Sequence, residues 1–231
     1  MSEFINCDCM QMMREYPDDH FDLAIVDPVY GDVTQGGYSK NNHGQRIGTG
    51  KANQKGYHDA LWSQPKTDAD YFKELFRISK NQIIWGGNYF ANMLPASQGW
   101  IVWDKQHPDG INFADCELAW TSFNKATRIF RFMWNGMLQG DMANKEDRIH
   151  PTQKPVALYK WLLVNYAKKG DKILDTHAGS GSSLIACHDL GFEFVGMEID
   201  KIYYQQAAER LKDAQRQIRI DDIIGDTWGI S

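Results

Sequence analysis

The chain has 231 residues, 42% of them apolar and 24% charged, which fits a globular protein and excludes a wholly disordered chain or a fibre. Its net charge of −5 weighs against a uniformly basic nucleic-acid binder. The apolar runs are only a handful of residues long, too short to span a bilayer, and the first ten residues, MSEFINCDCM, lack the basic start and long apolar run of a signal peptide, so a cytoplasmic location is expected.

In chain order, residues 21–26 (FDLAIV) form an apolar run that ends at Asp27-Pro28, where a strand must stop. Residues 31–66 have almost no apolar periodicity and read as a long loop. They carry Lys40, Arg46, Lys51, Lys55 and Lys66 against Asp32 and Asp59, a local +3 on a body of −8. Residues 67–79 read as a helix capped by Thr67, with Tyr71, Leu75 and Ile78 on one face. Residues 82–85 and 100–103 read as strands, and 115–121 with 127–134 as a further strand pair. A helix over 155–167 starts at Pro155. A strand at 172–176, a helix opening at Gly179-Ser180-Gly181 and running to Leu190, a strand at 193–199 and a helix over 201–217 complete the chain. This β-loop-α-β-α run predicts a single α/β domain with a parallel sheet and right-handed crossovers. No repeat or break in composition divides the chain.

Cys7, Cys9, Cys116 and Cys187 give one close pair and no second one, so reduced thiols and no metal are expected. Three motifs carry chemistry. In D-T-H-A-G-S-G-S-S (175–183), between a strand and a helix, Gly179 and Gly181 permit a tight turn and close approach of a ligand. Glu198 ends the next strand, 19 residues after Gly179, where an acid suits ribose hydroxyls. Leu184 stands where a dinucleotide site would want a third glycine, which counts against NAD or FAD; an ordinary glycine turn is the plain alternative. In D-P-V-Y-G (27–31) a carboxylate, the Pro28 carbonyl and an aromatic ring could hold an exocyclic amine and stack on its base, or simply cap a strand. In H-P-T-Q-K-P (150–155), His150, Thr152 and Lys154 could hold a carboxylate near the glycine loop.

Together these motifs resemble the S-adenosylmethionine-dependent amino-methyltransferases of DNA. D-P-V-Y at 27–30 resembles their D-P-P-Y catalytic motif, and D-x-x-x-G-S-G at 175–181 their cofactor loop, where His177 replaces the usual Phe. H-P-T-Q-K-P resembles the segment that precedes that loop, and N-C-D-C at 6–9 resembles a G-D-C whose Asp lies near the cofactor adenine. The motif order is that of the beta group, and I-I-W-G-G-N-Y-F (83–90) with W-I-V-W-D-K (100–105) resembles small phage and prophage members. The resemblance implies an α/β fold with a single-domain, Rossmann-like, mostly parallel sheet, an antiparallel edge strand and helices on both faces. It also implies methyl transfer to the amino group of adenine in double-stranded DNA, with Asp27, Pro28, Val29 and Tyr30 as catalytic residues. Val29 departs from the family's second proline. Asp8, Cys9, Asp27, His150, Thr152, Lys154, Asp175, His177, Ala178, Gly179, Ser180, Gly181, Ser182, Glu198 and Ile199 are the implied cofactor residues. Lys40, Arg46, Lys51 and Lys55 are expected to meet DNA phosphates from a mobile basic loop at 31–66, and 104–148 is the candidate target-recognition insert. Trp85, Trp100, Trp103 and Trp134 are read as core. A restriction-modification role fits, and a homodimer stays open. The competing readings are a cytosine amino acceptor, an RNA or protein-amide acceptor, and a catalytically dead binding module.

Overall fold

The structure, a computed structural model, describes residues 1–30, 66–107, 114–135 and 138–216. Lys40, Arg46, Lys51 and Lys55, with the rest of the basic loop to residue 65, lie outside the described residues. The strands are β1 (Glu3–Asn6), β2 (Leu23–Val26), β3 (Gln82–Trp85), β4 (Trp100–Asp104), β5 (Cys116–Thr121), β6 (Arg128–Arg131), β7 (Trp134–Asn135), β8 (Leu138–Gln139), β9 (Lys172–Asp175) and β10 (Glu193–Glu198). The helices are α1 (Cys9–Glu15), α2 (Ala69–Ile78), α3 (Val156–Tyr166), α4 (Ser182–Leu190) and α5 (Lys201–Arg216).

Eight strands form one sheet in the order β1-β10-β9-β2-β3-β5-β4-β6, and β7 pairs with β8 in a small hairpin. Alternate side chains of β2 feed opposite cores, as a period-2 strand buried on both faces must. Leu23 and Ile25 join a cluster with Leu158 and Leu162 of α3 and Leu184 of α4. Ala24 and Val26 join a second cluster with Met13 of α1 and Phe72, Leu75 and Ile78 of α2. The chain leaves β2 through α2 toward β3, and leaves β9 through α4 toward β10, on opposite sides of the β2·β9 pair. That reversal opens a crevice at the carboxyl ends of β2 and β9, the place where open α/β sheets bind ligands.

The mostly parallel sheet is as predicted, but the antiparallel strand is not at the edge. β5 runs antiparallel between β3 and β4, and β6 pairs parallel with β4 outside it. The expected pairing of 115–121 with 127–134 is therefore corrected: β4 lies between them. The reason lies in the side chains. Ala119, Trp120 and Thr121 of β5 are buried, whereas R-I-F-R of β6 is largely exposed with a charge at each end, a composition suited to an edge. Helix α2 is capped by Asp68, whose side chain accepts from the Tyr71 N–H at 3.1 Å, and not by Thr67. β1 and α1 were not anticipated from the sequence. β1 is four residues long, and α1 buries only Met13 completely, so neither shows a clear period.

Leu75 is fully buried on the inner face of α2, while Lys73 is exposed. Leu75→Ala should lower unfolding free energy by about 2–5 kcal/mol in urea titrations, and Lys73→Ala should stay within about 0.5 kcal/mol. Equal effects would mean that α2 does not pack as described.

Candidate active site

β2 delivers Asp27 to the crevice, and Pro28 ends the ladder because it offers no N–H. The loop is held from two sides. The Thr67 N–H donates to the Val29 carbonyl at 2.8 Å, and the Tyr30 ring stacks on Tyr89 with centroids 4.5 Å apart and planes 6° from parallel. Gly86 makes room for that ring: its φ is +66°, and a Cβ there would come within 2.7 Å of Tyr30.

Asp27 belongs to a half-buried chain of charges around the fully buried Lys154. The Lys154 ammonium contacts Asp27 Oδ2 and lies 3.1 Å from Glu117 Oε2, and Lys105 Nζ lies 2.7 Å from Glu117 Oε1. Lys154 also stands 5.4 Å over the Trp85 ring. Burial pushes the Asp27 carboxyl above its usual range against the pull of Lys154. Burial would raise Glu117 too, but Lys154 and Lys105 hold it down to about 2. Burial works against the Lys154 charge, and Asp27 and Glu117 outweigh it and keep the ammonium protonated. Asp27 Oδ1 is buried with no hydrogen-bond partner among the described residues.

The glycine loop stands on the other side of the crevice. The Gly179 N–H donates to Glu198 Oε2 at 2.9 Å and the Asp200 N–H to Oε1 at 2.8 Å, so the carboxylate is fixed by backbone and each oxygen keeps a lone pair. Asp175 accepts from the His177 N–H at 3.0 Å and from the Ser183 hydroxyl, and burial pushes it up to about 7. His150 is lowered to about 4 by burial and by Lys154, so its imidazole is neutral at neutral pH. Its Nδ1 accepts from the Thr152 N–H at 3.3 Å, which leaves the proton on Nε2. That Nε2 is buried without a partner among the described residues, 3.5 Å from where a Gly179 Cβ would stand.

A cavity of about 560 Å³ joins the two sides, in the size range of ligand pockets. Asp8, Cys9, residues 27–30, His150, Thr152, Lys154, residues 177–180, Glu198 and Ile199 all line it. Asp175, Gly181 and Ser182 do not. Asp175 braces the loop from beneath. Gly181 is needed for its φ of +72°, and a Cβ there would lie 3.4 Å from Ala207 of α5. The Ser182 hydroxyl accepts from Arg210 at 2.9 Å. Lys154 lines the cavity and is also paired with Asp27 and Glu117, with its ammonium over the Trp85 ring. The interval 104–148 is partly sheet, since it holds β5 and β6, and it supplies Glu117 to this centre. Sequence reasoning missed Glu117, although a charged residue in an otherwise apolar strand (CELAWT) was the available signal. It also missed Tyr71, whose hydroxyl lies 2.6 Å from Thr176 Oγ1, itself 2.9 Å from His177 Nδ1.

Burial lowers His177, like His150, to about 4 from an ordinary 6.5. Between these values the unfolded chain binds protons that the folded chain does not, so this contribution is complete above 6.5 and is lost as pH falls toward 4. His177→Phe should therefore lose less melting temperature than the wild type between about pH 7 and about pH 5. Equal losses in the two proteins would contradict the assignment.

Fold and site together define an α/β protein with a glycine loop and strand-end carboxylates around one cavity. A family model described as DNA methylase matches residues 87–209, and the chain belongs to that family, N6_N4_Mtase. It is 41% identical over 68 residues to the type II methyltransferase M.HpaI of Haemophilus parainfluenzae, a match covering 29% of this chain and only 22% of that protein. It is 24% identical to M2.DpnII of Streptococcus pneumoniae over 90% of this chain and 88% of that one. Among solved structures, the M1.HpyAVI–SAM complex superposes with a TM-score of 0.56 at 18% identity, over 91% of this chain and 100% of that one. The cytosine-N4-specific PvuII DNA methyltransferase gives 0.56 at 12% identity, over 92% and 90%. These two likenesses concern the fold.

Proposed function

We propose that the protein transfers a methyl group from S-adenosylmethionine to the exocyclic amino group of adenine in double-stranded DNA. The observation that carries this reading is the buried, unpartnered Asp27 Oδ1 beside Pro28, in the same cavity as the Glu198 carboxylate. The cavity's donor set suits the cofactor: Glu198 offers lone pairs to ribose hydroxyls, and the Nε2–H of neutral His150 suits an anionic or carbonyl oxygen. S-adenosylmethionine supplies an electrophilic methyl on a sulfonium. Asp27 Oδ1 and the Pro28 carbonyl accept the two hydrogens of the amine and raise the electron density on nitrogen. Tyr30, backed by Tyr89, offers a ring face to the base, which must leave the duplex to reach it. The amine nitrogen held there would take the methyl that the cofactor supplies, with the thioether as leaving group, and the Asp27 carboxylate would be the base at hand for the surplus proton. Positioning and electrostatics supply the rate.

Asp at position 27 and the D-P-x-Y pattern favour adenine. The PvuII neighbour, named for cytosine N4, makes the cytosine amine the second reading. Duplex DNA, RNA and protein should be incubated with methyl-labelled cofactor and the products digested and resolved. Methyladenosine from duplex DNA supports the proposal. Methylcytosine alone, or label only in RNA or protein, overturns it.

Asp27→Ala should abolish transfer while S-adenosylhomocysteine affinity stays within about three-fold by calorimetry, because a transition-state contact lowers turnover more than binding. Because only the ionised carboxylate accepts both contacts, and burial raises Asp27, turnover should fall on acidification above the usual carboxylate range of about 4. Activity near wild type in Asp27→Ala would remove Asp27 from the mechanism.

A further inference from the structure

We infer that Glu117 is a positioning residue for Asp27: from β5 it anchors the Lys154 ammonium, which pins Asp27 Oδ2 and leaves Oδ1 for the acceptor amine. The inference rests on the reaction proposed above, and nothing in the three sequence motifs points to this residue.

The geometry is a relay of contacts from three parts of the chain. Glu117 is held at the β4·β5 pairing, where it sits opposite Trp103, so backbone register fixes its position. Its Oε1 is occupied by Lys105 at 2.7 Å and its Oε2 by Lys154 at 3.1 Å. The Lys154 side chain is 2% exposed, and its approach to Asp27 uses Oδ2 alone. Two carboxylates and two ammonium groups balance, which lets Lys154 stay buried and charged. If Glu117 lost its charge, Lys154 would no longer be divided between two carboxylates. It would draw toward Asp27, both oxygens would be within its reach, and the acceptor for the amine would be lost.

The groups that face Asp27 are Lys154 and Tyr159 from the α3 side, Glu117 from β5, Lys105 beyond β4, Asp175 from β9, and Tyr30 of its own loop, with Tyr71 from α2. Within that set Glu117 disfavours the Asp27 charge, and Lys105 favours it. The two therefore move the titration of Asp27 in opposite directions when neutralised. A residue that only supported the fold would scale the whole pH profile without moving it.

Glu117→Gln, Glu117→Asp and Lys105→Gln should each be assayed for methyl transfer across pH. Binding of S-adenosylhomocysteine reports that each variant is folded. Glu117→Gln should lower plateau kcat by about 10–100-fold, with the cofactor KM within about two-fold, as expected when a reacting group is misplaced rather than removed. Its acid limb should shift to lower pH by up to about one unit. Glu117→Asp should bring the limb back toward the wild-type position and recover part of kcat. Lys105→Gln, at a more exposed cation, should shift the limb upward, and it keeps the inference testable if the Glu117 variants do not fold. A carbon-13 titration of the Asp27 carboxyl in wild type and variants reads the same shifts without turnover. Shifts in that titration with no DNA methylation by the wild type would sink the reaction and leave the coupling standing. Methylation by the wild type with limbs that do not move in Glu117→Gln or Lys105→Gln would overturn the inference.

Discussion

The site depends on an ammonium group buried between two carboxylates. Lys154 reaches from the segment before α3 to Asp27 at the end of β2 and to Glu117 on β5, and so joins three parts of the chain that are remote in sequence. Burying charges is costly unless they are paired with good geometry, and removing one partner leaves the others stranded. The arrangement answers this with alternating signs, Asp27, Lys154, Glu117, Lys105, and with the Trp85 ring against the ammonium. The consequence is chemical as well as structural. One Asp27 oxygen is held and the other is buried without a partner among the described residues.

A second cross-link holds the opposite wall. The Arg210 guanidinium of α5 donates to the Ser180 carbonyl at 3.0 Å and to the Ser182 hydroxyl at 2.9 Å, and pairs with Glu146. Glu146 accepts in turn from the Val156 N–H at 2.9 Å, at the start of α3. The glycine loop and the H-P-T-Q-K-P segment are thus tied to one another from below. His150 stands against the Gly179 turn, its Nε2 3.5 Å from where a Cβ would be. Both walls of the cavity converge on residues 146–156, which explains why a short proline-bounded segment carries so many polar residues.

Much of this was legible in the sequence because strand ends carry sharp signals. Asp27-Pro28 and Gly179-Ser180-Gly181 mark the two lips of the crevice, and Glu198 the third strand end, since proline and positive-φ glycine have few other uses there. What escaped is non-local. The order β3-β5-β4-β6 depends on which strand face finds a partner, and no short window records that. Lys154, grouped with His150 and Thr152 by its place in the sequence, also pairs with Asp27, 127 residues away, and with Glu117. Gly181 belongs to the glycine motif but does not line the cavity; its φ of +72° serves the turn. Sequence spacing placed the backbone at the site but not the direction of each side chain.

The most direct measurement is a crystal structure of the protein with S-adenosylhomocysteine. The account predicts the ligand in the β2–β9 crevice, its ribose hydroxyls on Glu198, its sulfur toward Asp27, and Lys154 still paired with Asp27 and Glu117. A ligand outside that crevice, or Lys154 swung onto the ligand's carboxylate with Asp27 released, would contradict it.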